Sequence, residues 1–494
     1  MRIVSISFIL IFGFVSLWFA SEQWGIGYDP DSIIYEDVAE NWVAGYGIAR
    51  FDFSTAERYP MTNFPPLYPL ILGVLSQIFG NVADSARILN TALWGGVWLM
   101  VYAWIYRGLH NHKSAWCFAT LLMINLMVFQ VFGTSWSEPL FMMLGLSGLW
   151  LFLKYYEVWQ WRYLISASLL FACAILTRYA GVAFVMTAGI VLLTAKHQPW
   201  RVRIQSLVGL GLISGLPLLM WLVRNVSVRG DVANRNVGFT LIGLPELEST
   251  IKTLGIWLLP VPETIVTVTI LAIVGLLLGW AVFNTRKRLL PATIENTILR
   301  WWILIYVLFI VASFSLIDPR IPFNYRILLP AYIGLIIIIG RYFASHWEHF
   351  SKSLRIIAVV TGMVLIGINA LLGLNWVVII NRTGQQYSSA QFRQSPIIQD
   401  FRTSPTSARI YSNNIFLYHY LTDKPAETLP WATGTDFDAW LDNLPNDKPI
   451  QIVFFGFLSQ REWESTEQIE AVLPVTVITG SDVVTVYELE LDNE

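Results

Sequence analysis

Residues 27–69 read GYDPDSIIYEDVAENWVAGYGIARFDFSTAERYPMTNFPPLYP. This is a long polar segment in an otherwise oily chain, and its acids cluster at one end. Asp29 and Asp31 are separated by a single proline, Pro30. Ile34, Val38 and Trp42 then recur at helical spacing, and the segment closes on the double proline Pro65-Pro66. Its flanks decide the fold. A run of apolar residues over 3–20 precedes it, and apolar runs fill most of the chain as far as residue 380.

The whole chain of 494 residues is 55% hydrophobic and 13% charged, with a mean hydropathy of +0.55. Soluble domains carry about 25% charged residues, so half that value points to a polytopic membrane protein. The 22 tryptophans and 29 phenylalanines suit membrane interfaces. A net charge of −2 gives no footing for nucleic acid. Cys117 and Cys173 both fall in apolar runs and read as small core residues. The first apolar run is longer than a secretory h-region, and Ser21-Glu22-Gln23-Trp24 is a poor cleavage site, so it is expected to stay as a helix.

About 20 apolar residues cross a bilayer. Such stretches occur near 3–21, 88–106, 115–133, 137–154, 163–178, 180–195, 204–223, 264–283, 301–317, 327–343 and 356–380, which predicts about 11 transmembrane helices. Every second connection is basic: Arg107 and Lys113, Lys154 and Arg162, Lys196 to Arg203, Arg286 to Arg300, and Arg341 to Arg355. The positive-inside rule puts those loops and the amino terminus in the cytoplasm. Segment 22–87 and the tail are then extracytoplasmic, provided that Pro66–Gly80 does not cross; two prolines at its head and a marginal length favour an interfacial helix. The expected organisation is a membrane domain over 1–380 and a small extracytoplasmic α/β domain over 381–494. Apolar runs at 408–411, 450–455, 475–478 and 483–489 are read as its strands, and 436–444 and 462–473 as its helices.

The acids carry the first chemical possibilities. Either Asp29 or Asp31 can serve as a general base, or the pair can ligate a divalent cation; a solvated turn with an aspartate helix cap is the plainer alternative. Glu138, in Thr134-Ser135-Trp136-Ser137-Glu138-Pro139, lies at an outer boundary, where it is either a first-turn acid or part of a site. Arg87, Arg178, Arg224, Arg320 and Arg326 all fall at outer boundaries, against the positive-inside trend. Five guanidinium groups on one face suit a lipid-linked phosphate or pyrophosphate better than snorkelling does. No HExxH, P-loop or nucleophile-elbow pattern occurs, which argues against a soluble-type hydrolase or ATPase.

The order of these features resembles the GT-C superfamily of polytopic glycosyltransferases, in particular the protein O-mannosyltransferase and aminoarabinose-transferase-like group. The resemblance rests on Asp31-Ser32-Ile33-Ile34-Tyr35, Gly45-Tyr46-Gly47, Phe64-Pro65-Pro66-Leu67-Tyr68, Ala86-Arg87, Ser137-Glu138-Pro139-Leu140, Thr177-Arg178-Tyr179, Arg224-Asn225 and Arg326 with Pro330. It covers residues 1–335 and implies transfer of a sugar from a polyprenyl-phosphate donor on the outer face of the cell membrane. It implies that Asp31 is the essential acid of the first outer loop and Glu138 the second. Arg87, Arg178, Arg224, Arg320 and Arg326 would serve the donor phosphate, with Asp29, Tyr35, Pro66 and Tyr68 supporting the loop. A divalent cation at Asp29 and Asp31 is left open, and so is a lipid, glycan or protein acceptor. Asn63-Phe64 stands where the aminoarabinose transferases carry Glu-Lys, and Ser32 where the protein mannosyltransferases carry a second acid. A lipid or solute transporter, or a lipid-pyrophosphate-dependent ligase or polymerase, is the alternative reading of the same features.

Overall fold

The computed structural model describes residues 2–230, 238–258, 293–404, 407–430, 440–445, 448–456 and 466–490. The chain divides into two compact units. The first comprises residues 1–20, 62–71 and 86–378; the second comprises 21–61, 72–85 and 379–494.

The first unit is a bundle of apolar helices. Six described helices are long and apolar enough to cross a membrane: Val82–Tyr106, Glu138–Val158, Trp200–Arg229, Ile294–Leu316, the helix from Tyr325, and Lys352–Thr383. A bent pair, His112–Met123 followed by Leu126–Phe132 at 66°, is apolar enough to cross only if its two helices are taken together. The expected span 115–133 is therefore not straight. Asn125 breaks it: its side chain accepts from Met127 N (3.0 Å) to cap the second helix, and its amide donates to Trp257 O (2.9 Å) and Asn369 Oδ1 (3.0 Å). Those bonds satisfy backbone and side-chain polar groups that lipid cannot. The expected spans 3–21, 163–178 and 180–195 appear as shorter apolar helices, and 264–283 lies outside the described residues. Leu67–Phe79, at 13 residues, is about 20 Å long, too short for a hydrocarbon core of about 30 Å.

Helix Glu138–Val158 lies closely against its neighbours because two glycines face large rings. A Cβ on Gly145 would sit 2.0 Å from Phe184, and one on Gly148 would sit 2.5 Å from Phe171. Phe184 is itself stacked on Phe171 and Trp302, so this contact is already filled to capacity.

The second unit holds a five-stranded mixed sheet. With β1 (Ala49–Phe51) and β2 (Arg58–Pro60) forming a separate hairpin, the sheet is built from β3 (Arg409–Ser412), β4 (Glu427–Thr428), β5 (Ile450–Phe455), β6 (Val475–Gly480) and β7 (Val484–Leu489). The order is β4-β3-β5-β7-β6, with β3 parallel to β4 and β5, and β7 antiparallel to β5 and β6. Ile450, Ile452 and Phe454 alternate along β5 into a core with Tyr411, Ile469, Tyr487 and Leu489. Strand β4 and the helices Pro396–Thr403 and Ile415–Thr422 complete this part. The expected helix 462–473 is described as Thr466–Val472; of the 436–444 stretch, 436–439 lies outside the described residues and 440–442 is helical.

Candidate functional site

In the second unit, the acidic loop leads into the helix Pro30–Val43. Asp29 is its cap: Oδ1 accepts from Ser32 N at 2.9 Å and from Ser32 Oγ at 2.8 Å. Pro30 fills the first turn, where its missing N–H costs nothing. Asp31 therefore occupies the first helical turn, half-buried, one residue beyond the proline.

The segment after the last membrane helix holds this loop in place. Tyr387 N donates to Tyr28 O (3.1 Å), Ser388 Oγ donates to Ile26 O (2.8 Å), and Tyr28 stacks on Tyr420 with centroids 5.1 Å apart. Tyr28 Oη donates to Glu36 at 3.0 Å. Burial, with Glu40 nearby, pushes the Glu36 carboxyl up to about 7, against the opposing pull of Tyr28 and Arg393. Asp37 is likewise pushed up to about 6, chiefly by burial; the Phe51 N–H and the Asn41 amide oppose the shift. Burial raises the Tyr387 phenol, and the carboxylates of Asp29 and Asp31 beside it raise it further. Its oxygen accepts from Asn414 Nδ2 at 2.7 Å. Glu36, Tyr387, Arg393 and Tyr420 were not visible as a group in the sequence; the one local signal was that Glu36 sits within the Ile34–Val38 apolar register.

In the first unit, three helix ends converge on Glu138. It begins the helix Glu138–Val158 with its side chain only 3% exposed. Arg178, at the end of Trp161–Thr177, reaches Glu138 Oε1 at 2.7 Å and Ser137 Oγ at 3.3 Å. Arg326 binds the same oxygen through Nε and lies 4.2 Å from the Trp136 ring centroid. Asn324 caps the helix Tyr325–His346 by accepting from Arg326 N and Ile327 N, and this cap turns Arg326 inward. Glu138 Oε2 is buried with no hydrogen-bond partner among the described residues. Among the described residues two cations meet one anion here, beside two helix N-termini that favour an anion.

The other expected arginines are held elsewhere. Arg87 donates to Trp18 O and lies 3.7 Å from that indole's centroid. Arg224 donates to Asn225 Oδ1 (3.1 Å) and packs on Trp221. Arg320 is paired with Asp318 at 3.0 Å within its own turn, and its side chain is 82% exposed. Of the five expected arginines, Arg178 and Arg326 meet on Glu138, whereas Arg87, Arg224 and Arg320 make the contacts just given. Pro66 is buried and its carbonyl accepts from Leu70 N (3.1 Å). Tyr35 is buried, and Tyr68 donates to Asn90 at 3.4 Å. Among the described residues no group of three or more His, Cys, Asp or Glu side chains could hold a metal ion, and Asp29 already spends Oδ1 on its cap.

Comparison with known proteins bears out the resemblance read from the sequence. A family described as dolichyl-phosphate-mannose-protein mannosyltransferase matches residues 63–221, a stretch that includes Arg87, Glu138 and Arg178. No curated protein matches by sequence. The fold is that of ArnT from Cupriavidus metallidurans, solved bound to undecaprenyl phosphate, with TM-score 0.57, 14% identity, and 99% of this chain and 98% of that chain covered. The oligosaccharyltransferase of Archaeoglobus fulgidus aligns with TM-score 0.53 and 12% identity over 99% of this chain and 75% of its own. The mycobacterial arabinofuranosyltransferase AftD aligns with TM-score 0.56 and 11% identity over 99% of this chain and 41% of its own. The architecture is that of a multi-pass membrane protein.

Proposed function

We propose that this protein is a GT-C glycosyltransferase. It takes a sugar from a polyprenyl-phosphate carrier and places it on an acceptor hydroxyl at the extracytoplasmic face of the cell membrane, with inversion. The observation that carries this reading is the buried centre in which Arg178 and Arg326 share Glu138 Oε1, partly within the segment matched by the mannosyltransferase family. Support also comes from the fold shared with a transferase solved on undecaprenyl phosphate.

In the reaction, the acceptor oxygen attacks the anomeric carbon as its proton passes to Asp31, and the bond from that carbon to the phosphate oxygen breaks. The departing lipid phosphate takes the electron pair. Arg178 and Arg326 stabilise that charge as fixed cations that need no reorganisation at the moment of transfer. Glu138 is a positioning residue: it holds both guanidinium groups and offsets one of their two charges. Asp31 is suited to the base role by its place in the first turn, where Asp29 has taken over the capping. Arg87 and Arg224 are assigned to the carrier's approach, outside the leaving-group step. The carrier arrives activated, so no nucleotide site is required.

The test is release of polyprenyl phosphate from a polyprenyl-phosphate monosaccharide by the purified protein. Asp31→Asn abolishes release while leaving expression and monodispersity intact. Full activity in that variant removes the base assignment, and absence of release by the unaltered protein across a panel of carrier sugars removes the reading.

A further inference from the structure

Beside the acidic loop, the second unit contains a cavity of about 480 Å³ lined by Arg382, Thr383, Gln386, Ser389, Gln391 and Phe392, among others. That volume lies within the range of small-molecule sites. Two of its polar atoms are buried without a hydrogen-bond partner among the described residues, Ser389 Oγ and Gln386 Oε1. Ser389 is only 7% exposed. It stands at the cap position of the short helix Ala390–Arg393, yet its hydroxyl makes no capping bond. A buried polar atom left unpaired in this way costs about 1–3 kcal/mol, and both belong to residues that line this cavity.

The lining defines the chemistry of a ligand there. Ser389 Oγ and Gln386 Oε1 want hydroxyl donors, whereas the Arg382 guanidinium and the Gln386 and Gln391 amides want acceptors. No carboxylate lines the cavity, which disfavours a cation, and a single guanidinium is a thin set for a doubly charged phosphate. Buried Phe392 supplies an apolar wall. A ring bearing several hydroxyls over an apolar face matches all of these groups.

The cavity is also tied to the loop. Gln386 pairs with Tyr28 in a parallel bridge, and Tyr387 N donates to Tyr28 O at 3.1 Å. Tyr28 directly precedes the Asp29 cap and lies three residues before Asp31. Trp24 Nε1 donates to Arg382 O at 3.0 Å, so both ends of the lining segment are pinned to the first loop.

We propose that this cavity is the acceptor subsite and binds a neutral sugar unit of the acceptor; the proposal rests on the glycosyltransferase reading above. The full-length protein, in nanodiscs prepared without maltoside detergents, is titrated with methyl glycopyranosides of glucose, galactose and mannose and read by saturation-transfer NMR. At least one glycoside gives transfer. Ser389→Ala weakens it about threefold to tenfold, as loss of one neutral hydrogen bond does, and Ala390→Trp, which fills the cavity, removes it. If Ala390→Trp does not fold, Ser389→Ala decides alone.

No transfer from any of the three, or transfer unchanged in Ser389→Ala, overturns the proposal. So does loss of transfer when phosphatidylglycerol replaces a zwitterionic nanodisc lipid, since the cavity then takes a lipid headgroup. Asp31→Asn retains glycoside binding, so a failure of the base assignment and a failure of this subsite give different results.

Discussion

Replacing Glu138 with glutamine tests the charge arithmetic of the buried centre. Its side chain is 3% exposed, and those of Arg178 and Arg326 are 22% and 12% exposed, so solvent screens the three charges little. At such separations each ion pair is worth about 4 kcal/mol at an effective dielectric of 20. Breaking a buried pair from one side costs about 3–5 kcal/mol in stability. Glutamine keeps the shape but leaves two like charges facing one another, and the centre becomes more positive by one charge. A more positive centre attracts the donor phosphate at least as well, so the donor KM does not rise. The guanidinium groups, no longer clamped, lose their orientation. Removing one fixed donor to a developing charge costs about 10²–10³ in rate, and loosening two without removing either should cost about 10–100-fold in kcat. Arg326→Ala has the opposite signature: the centre loses one positive charge and the donor KM rises. The assay is steady-state release of polyprenyl phosphate in vesicles, with kcat and donor KM separated for both variants and monodispersity checked by gel filtration. The reasoning is refuted if Glu138→Gln raises the donor KM as far as Arg326→Ala does while kcat stays unchanged.

Further expectations follow from the surroundings of this centre and of the loop. Glu36 has a folded pKa of about 7 against an ordinary 4.5, so the native state holds the extra proton between those values. Stability from this group is therefore complete below about pH 4.5 and is lost as pH rises through 7, by about 3 kcal/mol in all. Thermal midpoints of the unaltered protein should fall between pH 5 and 8, and those of Glu36→Gln should fall less, keeping only the part due to Asp37; parallel curves would contradict the burial argument. Gly145→Ala places a methyl against Phe184 and should cost about 1–3 kcal/mol by overpacking, read as a lowered midpoint that Phe184→Leu partly restores. Arg320→Ala should leave stability within about 1 kcal/mol and donor KM unchanged, because its ion pair is exposed; a raised donor KM would return Arg320 to the phosphate site.

The membrane helices were legible because the bilayer imposes a length and a solvent on each of them, and those constraints are local in sequence. Asn125 was harder to read. A single asparagine in an apolar run looks tolerable, and its helix-breaking role appears only when Trp257 O and Asn369 are seen to hold its amide. The arginines illustrate the same limit. Arg320 and Arg326 are six residues apart at one predicted boundary, yet one pairs with Asp318 in its own turn while the Asn324 cap directs the other onto Glu138. Sequence position placed both near the interface but could not assign their directions. Glu36 was missed because the groups that set its protonation include Arg393, more than 350 residues downstream. Glu138, by contrast, stood out, since an acid between a cap-type serine and a proline at a span end is unusual on local grounds alone.

The strap formed by Tyr387 and Ser388 across Ile26 and Tyr28 bears on how the protein is made. An acid near the start of the polypeptide gains its environment only after the ribosome has passed residue 388, and Tyr420 comes later still. During synthesis the loop emerges early and waits, unsupported, while every intervening helix is inserted. A nascent chain stalled before that strap would carry the carboxylate and both clamped guanidinium groups yet lack the scaffold that orients the loop.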